Sequence, residues 1–372
     1  MKNKEINIIG GGCAALSLAR LIHKLPNYKF NLFLGDKNKI NKDHFWGFWK
    51  VKFNDEAYKN ANHIWSKWSI NTHDTKNILT SGKHPYCVIK RQKWLDICKK
   101  QLPPVKFKIL ENDVLEKNSN LFIKNKKIKG HLVFDSRPPK IPSNILLQHF
   151  EGFVVTSKKN VFDEDIVTLM DFRCDQSRGL HFIYLLPFSK RKALVESTMF
   201  SKNVENKEFY STEISKYLEK YFNLINFTKS NHEKGVIPMH YISCSSEEIL
   251  NIGTRGGAVR PSSGYAFTFI QKQAFQIISQ LKKNRKNINT QIHNNAELFL
   301  DKIFINVINK YPLLAPKIFS NLARILNGDE MAKFMSGNAS LLTTCKIIIS
   351  MPKLPFIKSF FYVVYRKWFN LP

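Results

Sequence analysis

Glu5-Ile6-Asn7-Ile8-Ile9-Gly10-Gly11-Gly12-Cys13-Ala14-Ala15 decides the fold, together with Phe30-Asn31-Leu32-Phe33-Leu34-Gly35-Asp36 further along. The order is strand, glycine turn, helix, second strand and terminal carboxylate, the layout of a dinucleotide-binding unit. Gly10 and Gly12 let the backbone approach a pyrophosphate seated on a helix N-terminus, where free amides and the helix dipole favour negative charge. Ala15 stands where a third glycine would. Asp36, about twenty residues beyond the turn, is placed to accept hydrogen bonds from a ribose hydroxyl. Lys2, Lys4 and the apolar run imitate a secretory leader, but Glu5 and three glycines within the run argue against one.

A chain of 372 residues exceeds one compact core and suggests two domains, possibly interleaved. With 43% hydrophobic residues and 29 phenylalanines it has ample material for cores. Its apolar runs break before the ~20 residues of a bilayer span, so no transmembrane helix is expected. Six scattered cysteines without a CxxC pair read as reduced thiols of a cytoplasmic protein. The histidines show no i, i+4 pairing and no carboxylate partner, so no metal site is expected. The net charge of +29 suggests nucleic acid first. The lysines are spread along the whole chain, however, and no recognition helix, zinc cluster or RNA-stacking motif accompanies them, so nucleic acid is not the expected partner. The tail from Lys346 to Phe369 interleaves cations with aromatic and aliphatic residues. It suits either a membrane interface or a C-terminal helix packed on its own domain.

Asn38 to Trp49 reads as a loop ending in His44-Phe45-Trp46-Gly47-Phe48-Trp49. Tyr86–Lys90 reads as a strand, with a helix from Arg91 to Gln101 after it; Lys106 to Lys129 alternates like hairpin material, and His131–Arg137 begins as an apolar strand. Ile166–Asp171, Leu180–Phe188 and Lys192–Phe200 predict three antiparallel strands flooring a cavity, followed by a helix from Asn206 to Phe222. A second glycine-rich turn, Leu250 to Tyr265, precedes a helix from Ala266 to Lys283, and the remainder reads as helical. The expected division is a discontinuous nucleotide domain over 1–138 and 245–285, a β-rich substrate domain over 139–244, and a helical region over 286–372.

In that order and spacing, several segments together resemble the bacterial flavin-dependent lycopene cyclases over nearly the whole chain. They are Gly10-Gly11-Gly12 with Asp36, His44–Phe48, Val133–Arg137, Leu169–Asp171, Phe182–Pro187, Leu194–Thr198, Gly235–Pro238, Gly253–Gly257 and Pro261–Tyr265. The resemblance implies an FAD-binding Rossmann-type α/β flavoprotein fold with an inserted antiparallel β-sheet and C-terminal helices. It also implies FAD in its reduced form, NAD(P)H as reductant, and closure of the linear ends of lycopene to β-ionone rings without net redox change. The enzyme would be an isomerase working on a membrane-dissolved carotenoid, peripheral to the lipid surface. Trp49 stands where the bacterial enzymes often carry histidine, and Pro138 where they carry glycine, which leaves room for an altered carotene substrate.

Such a reaction delivers a proton to a terminal alkene, holds a tertiary cation while the ring closes, and removes a proton. Glu196 falls on the family's catalytic glutamate. To donate, it must be buried, since burial raises a carboxyl pKa from ~4.3 toward neutrality. If Glu196 faces a cavity, strand alternation turns Leu194 and Thr198 the same way and Val195 and Ser197 away; the alternative is a surface glutamate paired with a lysine such as Lys192. Asp171 is a candidate base or orienting group, or else a strand-end cap. Asp135 is a further carboxylate of interest, expected on the cofactor side, and Arg137 and Arg255 suit flavin phosphate or a structural carboxylate. Gly253, Gly256, Gly257 and Gly264 are expected beside the flavin, with the helix after Gly264 aimed at its ring. Trp46, Phe48, Phe182, Tyr184 and Tyr265 are candidate substrate walls, or ordinary core. Whether Glu196 or the flavin donates the proton stays open at this level, and a flavin-dependent oxidoreductase acting on an isoprenoid is the second reading.

Overall fold

The computed structural model describes residues 4–22, 25–26, 28–34, 43–102, 107–111, 114–117, 120–242, 249–285 and 287–368. Asp36 lies outside them. From the N-terminus run β1 (Lys4–Ile9), α1 (Cys13–Ala19), β2 (Tyr28–Leu34), β3 (Phe45–Trp49), α2 (Asp55–Lys59), β4 (His63–Trp65), β5 (Lys67–Asn71) and β6 (Lys76–Thr80). Next come β7 (Tyr86–Lys90), α3 (Arg91–Lys100), β8 (Phe107–Glu111), β9 (Leu115–Lys117), β10 (Asn120–Ile123), β11 (Lys126–Lys127) and β12 (Leu132–Asp135). The middle of the chain forms β13 (Leu147–Thr156), β14 (Ile166–Asp171), β15 (Leu180–Ser189), β16 (Lys192–Ser201), α4 (Lys207–Phe222), β17 (Thr228–Pro238) and β18 (Leu250–Asn251). Helices α5 (Phe267–Lys282), α6 (Asn295–Lys310), α7 (Ala315–Ile325), α8 (Gly328–Met335), α9 (Leu341–Ser350) and α10 (Lys353–Trp368) complete it.

The first sheet is parallel, in the order β18-β12-β1-β2-β8. β1 sits inside it and is buried from Ile6 to Ile9, which is why its sequence does not alternate. Gly10 carries the chain out of β1 at φ +109° and donates its amide to Phe33 O at 2.9 Å, tying the turn to the end of β2. In α1, Ala14 to Ala19 are all buried, and small side chains allow close packing between α3 and α5. Ser17 Oγ, fully buried, accepts from Trp94 Nε1 of α3 at 3.0 Å and from Gln271 Nε2 of α5 at 2.9 Å.

The second sheet has seven strands in the order β17-β13-β16-β15-β14-β5-β6, antiparallel except where β14 runs parallel to β5. Its two faces are set by alternation. Val195, Ile183 and Leu185 pack with Ile214, Tyr217 and Leu218 of α4. Leu194, Phe182, Leu186 and Phe200 point the other way and join a core completed by α6 to α9. α4 starts on Asn206, whose side chain accepts from Phe209 N, and stops at Asn223 with φ +48°, as the sequence suggests.

Three expectations need correction. The stretch read as a loop ends in β3, which pairs antiparallel with β7 (Trp46 opposite Ile89, Phe48 opposite Cys87); five residues dominated by aromatics carry no readable alternation. β5 and β6, from within 1–138, extend the sheet expected from 139–244 alone, because β14 pairs parallel with β5. The hairpin stretch splits, with β8 joining the parallel sheet while β9, β10 and β11 form a separate three-stranded sheet.

Asp171 ends β14 and is fully buried. It accepts from Arg173 Nη2 at 2.7 Å and Nε at 2.9 Å, from Tyr217 Oη at 2.7 Å, and from Asn71 Nδ2 at 3.2 Å. This cluster joins β14, β5 and α4. Burial opposes the charge, but the hydrogen bonds from Arg173 and Tyr217 outweigh it and hold the carboxyl below its ordinary pKa. Asp171→Asn is therefore expected to cost about 2–3 kcal/mol of unfolding free energy at pH 7. Because the folded-state pKa is lowered, the wild-type advantage is full above the unfolded value of ~3.9 and shrinks as pH falls through the folded one. Denaturant titrations of both proteins across pH 4–8 measure the pH-independent gap; equal midpoints at pH 7 would remove the anchoring role.

Candidate active site

Between the inner face of the seven-stranded sheet, the loop before α5 and helices α6 to α10 lies a cavity of about 1100 Å³. β16 contributes Leu194, Glu196, Thr198 and Phe200 to its wall, and β15 contributes Phe182, Tyr184 and Leu186. This is the alternation expected around Glu196. Phe304, Phe319, Leu322, Met331 and Phe334 close the far side from α6, α7 and α8. The walls are mostly apolar, so each polar group among them stands out.

Glu196 lies in a row that crosses the sheet. It pairs with Tyr184 on β15 and with Gly152 on β13, and Gly152 in turn pairs with Glu233 on β17. Gly152 therefore separates two glutamates that each sit one strand away. A Cβ on residue 152 would collide with Glu196 Cγ and sit 2.6 Å from Val195 O, so only glycine leaves room for the carboxyl groups to meet. Glu196 and Glu233 are close enough across Gly152 for each to act on the other's titration. Both are almost wholly buried, at 8% and 3% exposure. Desolvation pushes both pKa values up, and for Glu233 the adjacent Glu196 adds to the rise. Glu233 is absent from the sequence-derived candidates, and Lys192, considered there as a partner for Glu196, is exposed at the strand end.

Tyr184 extends the polar row. Its Oη lies 2.8 Å from Tyr86 Oη, which is 3.4 Å from Tyr265 Oη. Tyr86 is buried, Tyr184 and Tyr265 are half-buried, and all three phenols are held well above the ordinary pKa, chiefly by desolvation, so they remain neutral hydrogen-bonding groups. A side chain at Gly47 would collide with Tyr86 Oη, which explains the glycine in the aromatic strand β3. Tyr184, Tyr265, Phe182 and Trp46 line the cavity as expected, and Phe45 and Trp49 join them. Phe48 does not. It is fully buried in the core of the parallel-sheet domain, 5.1 Å from the Phe267 ring, and is a packing residue. Asp171 likewise lies off the cavity, locked to Arg173 on the α4 side, and so is not placed as the base.

The cavity runs on to Cys13 at the start of α1, to Thr254 in the turn after β18, and to Gly264, Ala266 and Phe267 at the start of α5. Gly10 is required by its positive φ and by Ser136 Oγ, which occupies the place a Cβ would take. Gly12 faces open space, and among the described residues no side chain caps the first turn of α1. A phosphate-bearing group fits there. Ala15 is buried in the core and serves helix packing, not ligand contact. Gly253, Gly256 and Gly257 shape the turn after β18, with Gly253 N donating to Gln273 Oε1 at 2.8 Å. Of the two roles expected for Arg137 and Arg255, the structure shows the structural carboxylate, and Asp135 is one of the carboxylates they hold. Arg137 binds Asp135 through Nη2 at 2.8 Å, and Arg255 Nη2 binds Glu116 at 2.7 Å with its Nε 3.4 Å from Asp135. Both guanidinium groups are thus spent pinning β9 against the ends of β12 and β18.

One further charged pair faces the cavity. Arg260 and Asp301, both nearly buried, join through Nη2–Oδ1 at 3.2 Å and Nε–Oδ2 at 3.2 Å, with the Arg260 guanidinium 5.3 Å from the Phe334 ring. Arg260 lies inside the second glycine-rich turn and Asp301 on α6. Helical periodicity alone gives no sign that this acid faces inward.

Among solved structures, a geranylgeranyl bacteriochlorophyll reductase-like protein from Thermoplasma acidophilum superposes with a TM-score of 0.62 at 13% identity, covering 97% of this chain and 99% of the other. A flavin-dependent halogenase from Xanthomonas campestris gives 0.55 at 9% identity, covering 100% and 96%. CtdE, in complex with FAD and a substrate, gives 0.57 at 12% identity, covering 94% and 100%. The architecture is thus the mixed α/β fold of FAD-dependent flavoproteins. No curated protein matches the chain. The lycopene cyclase family profile matches residues 5–360, and with the parallel nucleotide sheet, the inserted antiparallel sheet and the inward glutamate in place, the chain belongs to the lycopene cyclase family.

Proposed function

We propose that this protein closes the linear ends of lycopene to β-ionone rings as an isomerase, starting with proton transfer from Glu196 and using FAD held at the Gly10–Gly12 turn. The observation that carries this reading is a carboxyl group kept neutral by burial on the wall of a large apolar cavity. Ring closure needs a group that still holds a proton to give at neutral pH and a chamber dry enough that water does not capture the cation. Glu196 supplies the first. Phe182, Leu186, Leu194, Phe304 and Phe319 supply the second by excluding water. The faces of Trp46, Trp49 and Tyr184 present electron-rich rings to a developing positive charge. Reduced FAD, kept reduced by NAD(P)H, would add a fixed negative charge beside that cation. Gly10 and Gly12 would hold its pyrophosphate, and Cys13 and Thr254 lie where that end meets the cavity. The Tyr86–Tyr184–Tyr265 hydroxyl cluster orders the polar edge without introducing charge.

The reading includes a peripheral position on the cytoplasmic face of a membrane. α9 and α10 are bent by 114° and expose Leu341, Leu342, Ile349, Leu354, Phe361 and Trp368, while α10 packs on α6 through the Phe299–Phe360 contact. No single helix among the described residues is long and apolar enough to cross a membrane. After Glu330 the sequence has no Asp or Glu, but it carries Lys333, Lys346, Lys353, Lys358, Arg366 and Lys367. Ile347, Ile348, Met351, Phe356, Phe360 and Phe361 of the same two helices line the cavity. A carotenoid dissolved in lipid would then reach the chamber without crossing water.

Expression in a lycopene-accumulating host is expected to shift pigment from red to yellow-orange, and Glu196→Gln to cut conversion by at least ~100-fold, the scale of lost general-acid catalysis. Full conversion by the glutamine variant would end the assignment of the acid. Product formed in proportion to NAD(P)H consumed, with oxidised or reduced carotenoid in place of an isomer, would establish an oxidoreductase instead. The full chain is also expected to sediment with phosphatidylglycerol vesicles. Replacing Lys353 and Lys358 by Gln should weaken that binding roughly 30-fold, at ~1 kcal/mol per cation; unchanged binding would remove the lipid-facing role of α10.

A further inference from the structure

The cyclase reading uses one glutamate, yet the structure buries two close together. Strands lie about 4.8 Å apart, so Glu196 and Glu233, each one strand from β13, have backbones roughly 10 Å apart. Two glutamate side chains span that gap only if the middle residue has no side chain, and the middle residue is Gly152. Glu233 Oε2 accepts from the Phe45 amide at 3.3 Å. Its Oε1 is buried and has no hydrogen-bond partner among the described residues apart from what a proton on Glu196 would provide. Glu196 lines the cavity and Glu233 stands behind it.

We infer that Glu196 and Glu233 share one proton across Gly152, and that Glu233 is the positioning residue that holds the Glu196 carboxyl in place and aims it into the cavity. This rests on the cyclase reading and adds a second residue to it. Like charges this close resist double ionisation, so the pair holds at least one proton at neutral pH and titrates as a unit. Other ionisable groups act on it from every side. Asp43 and Lys90 oppose one another near Glu233, Lys90 favouring its charge and Asp43 disfavouring it. Tyr184, Tyr86 and Tyr265 on the Glu196 side stay neutral. Glu151 and His232 are occupied with each other at 2.7 Å.

The chemistry balances without an outside oxidant or reductant. The O–H bond of Glu196 breaks as the alkene π pair forms a C–H bond, leaving a tertiary carbocation facing two carboxylates. The ring closes when a second alkene π pair forms the new C–C bond. A ring carbon then gives a proton back to the pair, the electrons of that C–H bond becoming the ring double bond, and the carboxyl pair is restored.

The test compares flavin-loaded wild type, Glu233→Gln and Glu196→Gln on lycopene in vesicles, recording rate against pH. Wild type should lose activity on the alkaline side as the pair gives up its last proton. Glu233→Gln breaks the shared-proton pair, so its alkaline limb should shift by about one pH unit or more, and kcat should fall while KM stays unchanged. A wild-type alkaline limb in Glu233→Gln, with Glu196→Gln inactive, overturns the shared proton and leaves the cyclase reading standing. Activity in Glu196→Gln overturns both. Infrared titration of the wild-type protein without substrate gives a result that depends on no variant. A protonated-carboxyl band persisting above pH 7 is expected, and its absence overturns the proposal.

Discussion

A carboxyl group surrounded by hydrocarbon cannot carry its charge cheaply, and most of this molecule is arranged around that fact. In water Glu196 would be an ordinary anion. On the wall of an apolar chamber of about 1100 Å³, desolvation holds its proton in place. The sheet must put it there, the helices must roof it, and the residue across the row must be small enough to admit a second carboxyl. Strand alternation along β16 does the first, α6 to α10 the second and Gly152 the third.

The same physics sorts the other carboxylates. Asp171 and Asp135 are as deeply buried as Glu196, but each has arginine donors and serves as a structural link. Asp301, paired with Arg260, reaches the cavity already neutralised. Burial alone does not mark an acid. What sets Glu196 and Glu233 apart is burial with no cation in contact among the described residues, which leaves a proton as the cheapest way to satisfy them.

Much of this was legible in one sequence because local patterns carry it. The glycine turn and two flanking strands announced the nucleotide unit. Period-two alternation placed Glu196, Leu194 and Thr198 on one face, and helix α4 was readable from Asn206 onward. What escaped depends on pairings distant along the chain. Asn71 meets Asp171 across 100 residues of sequence, so nothing near β5 said that it belonged to the second sheet. Glu233 sits between His232 and Lys234 and reads as part of a solvated charged stretch, since only the β13–β17 register turns it inward. Phe48 looked like a cavity wall because its neighbours Trp46 and Trp49 are, yet its own ring packs against Phe267 in the other core.

The bent pair α9–α10 has a bearing on handling. Its outward residues, with Leu341 at 82% and Trp368 at 83% exposure, are greasy, and its inward ones roof the chamber. In plain buffer the first set faces a solvent it does not suit, and self-association is the ordinary remedy. Detergent or lipid nanodiscs would then do more than keep the protein dispersed: they would preserve the roof, because aggregation through these helices would drag on the same turns that seal the chamber.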